Sequence, residues 1–198
     1  METGVQRGCA LLHDINAQGL PCATESLDLM LVPYTEDLVS WTALGARTAE
    51  SPVHPAMANG LAMPVGIKND TDGCVGTAFD GIEAIASQHR YMAVASHGGV
   101  VMTRSHGNAH THVVFRCGRD GPNFDAYSVS DCESALSKLQ RRANIMVDCS
   151  HANTDKMHER PLDVLAEVSR QLCAGNQSLM GLSWRASYSL VISRLRRL

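Results

Sequence analysis

The stretch "IMVDCSHANTDK" (residues 145–156) begins with apolar Ile145, Met146 and Val147 and then gathers Asp148, Cys149, Ser150, His151 and Asn153. Its first half suits a strand buried on both faces. Its second half holds metal-binding and proton-handling side chains where turn residues would be ordinary. Apolar runs suited to strands recur at 22–27, 41–46, 64–67, 91–96, 111–115 and 178–182. Helical spacing falls between many of them. It covers 5–19, then 74–88 with apolar positions 75, 78, 79, 82, 85 and 86, then a stripe of Leu162, Leu165, Val168 and Leu172 that stops at Gly175. "SPVHPAMANG" (51–60) opens on Ser-Pro and closes on Gly, the punctuation of a short helix. Ser130 and Glu133 have the spacing of a capping box, which predicts a helix from there to about Arg142.

Repeated β–α units with apolar strands define an α/β fold with a buried parallel sheet. No Gly-rich loop follows the first strand, which removes the main support for a dinucleotide-binding fold. A (β/α) barrel is therefore predicted. The runs 99–103 and 111–117 stand too close for a helix between them, which predicts a β-hairpin insertion at 97–117.

The chain has 198 residues, 44% of them hydrophobic and 19% charged, enough for a sizeable core. A net charge of −3 offers no electrostatic case for nucleic acid or an anionic membrane surface. Seven cysteines lie scattered without a CxxC pair, as expected of reduced thiols in the cytoplasm. The opening "METGVQRGCALLHDINAQGLP" carries charges throughout, unlike a signal peptide. No window approaches the roughly 18 apolar residues of a membrane span.

In a (β/α) barrel the chemistry sits where strands end at their C-terminal face. Here those ends are Glu25, Arg47, Lys68, Arg116 and His151. A single Arg after a strand is ordinarily a solvated loop residue. Three permanent cations at successive strand ends are different, because they repel unless an anion joins them, and the Arg fork matches phosphate or carboxylate. "HGNAHTH" (106–112) sets His110 and His112 on one face of a strand. With no third ligand nearby, a wet hairpin loop is expected there.

"GARTAES" (45–51), "PVGIKNDTDG" (64–73), "VVFRCGRDGPNF" (113–124), "VDCSHANTDK" (147–156) and "AGNQSLMGL" (174–182) resemble the type I 3-deoxy-D-arabino-heptulosonate 7-phosphate (DAHP) synthases, and "LPCATESLD" (20–28) resembles their tryptophan-sensitive branch. The likeness runs in order from about residue 5 to 182. It implies a (β/α)8 TIM barrel that condenses phosphoenolpyruvate with erythrose 4-phosphate, the first step of the shikimate pathway. It also implies that Arg47, Lys68, Arg116 and the backbone at Ala46 bind phosphoenolpyruvate, that Glu25 helps handle a water, and that His151 ligates a divalent metal (Mn, Fe, Co or Zn). A homo-oligomer, or association with a full-length homologue, is the implied assembly.

Several family features are missing. The Gly-Pro-Cys-Ser motif with its cysteine ligand and the Lys-Pro-Arg-Thr phosphate-binding stretch are absent. Where a Glu ligand is due after "MGL", Arg185 stands instead. The expectation is an incomplete barrel of about strands 3–8 over residues 1–182, weakly active or inactive, holding its metal poorly. Residues 183–198 form a non-family tail, with four of the 17 basic residues and none of the 20 acidic ones. Two other functions fit the same residues: a Schiff-base aldolase using Lys68 as nucleophile, and a non-catalytic fragment that binds anions or pairs with a homologue.

Overall fold

The computed structural model describes residues 2–95, 98–118, 121–155, 157 and 159–184. They fall into two compact units, one holding the chain up to Asp70 with Cys74–Val113, the other Thr71–Gly73 with the chain from Val114 on.

The first unit opens with helix α1 (Glu2–Ala17), tied down where the Asn16 amide donates to the Leu38 carbonyl at 2.8 Å. Strands β1 (Ala23–Glu25), β2 (Trp41–Leu44) and β3 (Val65–Lys68) run parallel, with Thr24 beside Thr42 and Ala43 beside Gly66. Short helices α2 (Val32–Thr35), α3 (Ala46–Ala49) and α4 (Val53–Ala58) connect them. Every residue of β3 is buried, as a strand covered on both faces requires. Helix α5 (Gly76–Ala86) covers one face closely, because at Gly81 a Cβ would stand 3.2 Å from Ile67 Cδ1.

The hairpin differs from expectation. Strand β4 (Arg90–Val94) pairs antiparallel with β5 (Val100–Arg104), so the ribbon spans 90–104, not 97–117, and 91–96 is not a barrel strand. Strand β6 (Thr111–Phe115) instead joins the main sheet beside β3. The Asn108 amide donates to the carbonyls of Leu61 and Met63, and Val65 N–H donates to the His110 carbonyl at 2.9 Å, which delivers the chain to that edge. Val113, Val114 and Phe115 are at most 1% exposed, too apolar for an exposed ribbon. Burial of such side chains stabilises a fold by about 1.5–3 kcal/mol each.

The second unit takes the end of β6, then helix α6 (Ala126–Lys138), strand β7 (Ile145–Asp148), a 3-10 turn (His151–Thr154), helix α7 (Pro161–Cys173) and strand β8 (Leu179–Ser183). Strands β7 and β8 are parallel, with a register shift between Ile145 and Met146. Helix α6 starts earlier than the Ser130–Glu133 box predicts. Asp125 is its cap, accepting from the N–H groups of Tyr127 and Ser128 at 2.9 and 3.0 Å. Glu133 is engaged elsewhere, accepting from Asn176 at 2.8 Å and from the Ser178 hydroxyl. Helix α7 begins with Pro161 in its first turn and buries Val164 and Val168. Of the basic tail, only Ser183 and Trp184 lie within the described residues. Among the described residues no helix is long and apolar enough to cross a membrane.

Candidate active site

In the first unit the predicted strand-end residues meet in part. Glu25 closes β1 and Lys68 closes β3, and Lys68 Nζ lies 3.4 Å from Glu25 Oε2. Lys68 is buried and Glu25 is exposed, so the pair sits at the rim with its cationic end inside. Ser26, next in the chain, bonds Thr42 side chain to side chain at 2.7 Å and holds the end of β1 against β2. Gly45 makes room for the carboxylate: a Cβ there would stand 2.3 Å from Glu25 Oε1. Ala46 follows, buried, at the start of α3, and Arg47 beside it is exposed.

The second unit carries the other two. Arg116, half-buried, follows β6 directly, and Cys117 after it has a left-handed backbone (φ 72). His151 opens the turn after β7, also left-handed (φ 57). Its Nδ1 is 2.9 Å from Oδ2 of the buried Asp148, whose Oδ1 accepts from Ser150 N–H at 2.9 Å. A carboxylate on Nδ1 makes that nitrogen the donor, and in the neutral ring this puts the lone pair on Nε2, the arrangement common behind metal-binding histidines.

Asp148 lies within the 145–156 run, but its pairing with His151 has no signature in the sequence. The same holds for the buried Asn153, whose amide donates to the carbonyls of Asp148 (3.0 Å) and Phe115 (3.3 Å) and whose Oδ1 accepts from Asn123 N–H (3.1 Å). Two glycines also matter. A Cβ on Gly118 would lie 2.1 Å from Gly73 Cα, so Thr71–Gly73 crosses the loop after β6 backbone on backbone.

Three further groups are settled by burial. Burial, then the charge of Asp148, pushes the Cys149 thiol up to about 11, and burial raises Cys117 as well, so neither is a ready thiolate. The histidine pair is not a wet loop. His112 is buried within β6 and accepts from Trp41 Nε1 at 3.0 Å, while His110 is exposed.

A divalent metal can be tested against these donors. His151 is oriented as one ligand, yet among the described residues no group of three His, Cys, Asp or Glu side chains could hold an ion. A catalytic site takes about three protein ligands. The donors described therefore fit a single coordination position and not a full site.

The chain as a whole matches known proteins. The model of the DAHP synthetase I family matches residues 3–184. The Tyr-sensitive phospho-2-dehydro-3-deoxyheptonate aldolase of Salmonella typhimurium is 42% identical over 182 residues, covering 92% of this chain and 51% of that protein. The Trp-sensitive enzyme of Enterobacter agglomerans is 43% identical over 171 residues, covering 86% of this chain and 49% of the relative. The solved phospho-2-dehydro-3-deoxyheptonate aldolase of Francisella tularensis superposes with a TM-score of 0.88 at 36% identity, over 91% of this chain and 53% of that one. The chain belongs to the DAHP synthetase I family. Its fold is that of a TIM-barrel family, and it spans about half the length of the relatives it matches.

Proposed function

We propose that this protein acts as a DAHP synthase, condensing phosphoenolpyruvate with erythrose 4-phosphate at the head of aromatic biosynthesis in the cytoplasm. The observation that carries this is the chemistry of the strand ends: the Lys68–Glu25 ion pair after β3 and β1, and His151 held through Nδ1 by Asp148 after β7. In this reading Arg47, Lys68, Arg116 and the Ala46 backbone bind the phosphate and carboxylate of phosphoenolpyruvate. The cations offset charge that would otherwise repel the second phosphate-bearing substrate. Carbon 3 of phosphoenolpyruvate bonds to the aldehyde carbon as the C=O electron pair passes to its oxygen. Water, which Glu25 helps to handle, adds at carbon 2. The bond from carbon 2 to the phosphate oxygen then breaks to leave a ketone, and the two water protons end on the new hydroxyl and on the departing phosphate. A divalent ion (Mn, Fe, Co or Zn) would supply Lewis acidity, with His151 Nε2 as one ligand. The donors among the described residues do not complete its site.

Calorimetric titration with phosphoenolpyruvate tests the proposal. Saturable binding is expected, weakened about tenfold or more in Arg47→Ala and unchanged in Arg142→Ala. Wild-type protein that binds no phosphoenolpyruvate would overturn it. Turnover by this chain alone is expected to be weak, read as heptulosonate phosphate formed with manganese present. A covalent adduct with a keto substrate after borohydride treatment would favour the Schiff-base reading of Lys68 instead. Self-association, or pairing with a full-length homologue, is supported by one face of the ribbon, where Met92, Val100 and Met102 are each at least 69% exposed.

A further inference from the structure

Two site residues of the second unit stand beside strained backbone. Cys117, directly after Arg116, and His151 itself both have positive φ without being glycine. Such conformations cost about 1–3 kcal/mol each and persist only where the surroundings over-determine them. Here the surroundings are two asparagines. Asn153 is 3% exposed and uses its whole side chain: both amide hydrogens are aimed at the carbonyls that end β6 and β7, Phe115 and Asp148, and its oxygen accepts from Asn123 N–H. Asn123 Oδ1 in turn accepts from Cys117 N–H at 2.9 Å. One buried amide thus joins the residue before Arg116 to the strand end before His151, and through Asn123 it reaches the residue after Arg116.

We infer that Asn153 is a positioning residue that fastens the His151 turn to the Arg116 strand end, so that a displacement of one is felt at the other. No pair of apolar groups could do this work, because the groups being joined are backbone carbonyls and N–H groups that need partners when buried. The expected coupling through such a network is modest and local. It rests on the phosphoenolpyruvate reading only for its consequence, not for its geometry.

The wiring is asymmetric, and the test uses that. Asn153 touches both strand ends, whereas Asn123 reaches the Arg116 side through Cys117. In ligand-free protein followed by NMR, Asn153→Ala should shift both the Arg116 Nε–H and the His151 Cε1–H resonances. Asn123→Ala should shift the Arg116 resonance and leave that of His151 in place. Should Asn153→Ala not fold, Asn153→Asp is read the same way, since it keeps the shape and the acceptor for Asn123 but turns an oxygen towards two carbonyls. Asn153→Ala should also weaken phosphoenolpyruvate binding about tenfold, with no further loss when combined with Arg116→Ala. An Arg116 resonance unmoved by Asn153→Ala, or a His151 resonance moved equally by both variants, overturns the inference. If the resonances behave as expected while wild-type protein binds no phosphoenolpyruvate, the fastening stands and the functional reading fails.

Discussion

The indole N–H of Trp41 donates to Nε2 of His112 across 3.0 Å, with the ring centroids 5.9 Å apart. An imidazole nitrogen that accepts must be unprotonated, so the contact needs neutral His112. Burial favours the same state and lowers the pKa from 6.5 to about 4. Between those values the unfolded chain binds the proton and the folded one does not, so stability falls with acid in that window. It is fully present above pH 6.5, and up to about 3 kcal/mol is lost by pH 4. Urea midpoints from pH 4 to 8 should show this slope in wild-type protein and a shallower one in His112→Leu. A wild-type slope no steeper than that of the variant would count against it.

Gly45→Ala should separate stability from binding. The added methyl meets the far end of the Glu25 side chain, which can swing away, so the melting temperature should change little. The displaced carboxylate leaves Lys68, and phosphoenolpyruvate affinity should change several-fold. Unchanged affinity in a folded variant would show that the Glu25 position is irrelevant to ligand.

Helix α6 offers a direct comparison of two candidate starts. Asp125→Ala removes the cap and should cost about 1 kcal/mol, while Ser130→Ala, at an exposed position inside the helix, should cost close to nothing. Burial works against the Asp125 charge, but hydrogen bonds from the Ser128 side chain and from the Ser128 and Tyr127 N–H groups win and hold its pKa below the usual value. Its stabilising contribution is therefore present above the unfolded pKa and fades as pH falls through the folded one. Equal losses from the two substitutions, measured by denaturation at neutral pH, would return the start to Ser130.

Thiol labelling should follow burial. Cys74 and Cys173 are exposed, whereas Cys117, Cys132 and Cys149 are buried, with the last two pushed up to about 12 and about 11. Mass spectrometry after brief maleimide treatment at neutral pH should find the first pair modified and the other three protected until denaturant is added. Early modification of Cys149 would mean that the end of β7 opens in the native protein.

Strands β2, β3, β6 and β7 were legible because a strand covered on both faces must be written as a short apolar run. The residues at their ends were legible for the same reason, since Lys68 and Arg116 mark where such a run stops. The hairpin was not, because its partner depends on which run the main sheet captures. That choice is made by Asn108 reaching Leu61 and Met63, a contact with no local signature. Asp125 and Ser130 are both good caps by composition, and tertiary demand on Glu133 decided between them. The partners of Asn123 and Asn153 were not legible for a related reason. A buried asparagine and a loop asparagine look alike until their partners are known.

The crossing of Gly73 and Gly118 limits how this chain can be altered. Each glycine would place a new Cβ against the other's backbone, and backbone cannot rotate away as a side chain can. A larger residue at Gly118 cannot be offset by a smaller one at Gly73, which already has no side chain to give up. Recombination with a relative must therefore bring both segments from the same parent or keep glycine at both positions. A library that varies Thr71–Asp72 and the residues flanking Gly118 should yield folded members at ordinary frequency, but almost none in which either glycine is replaced.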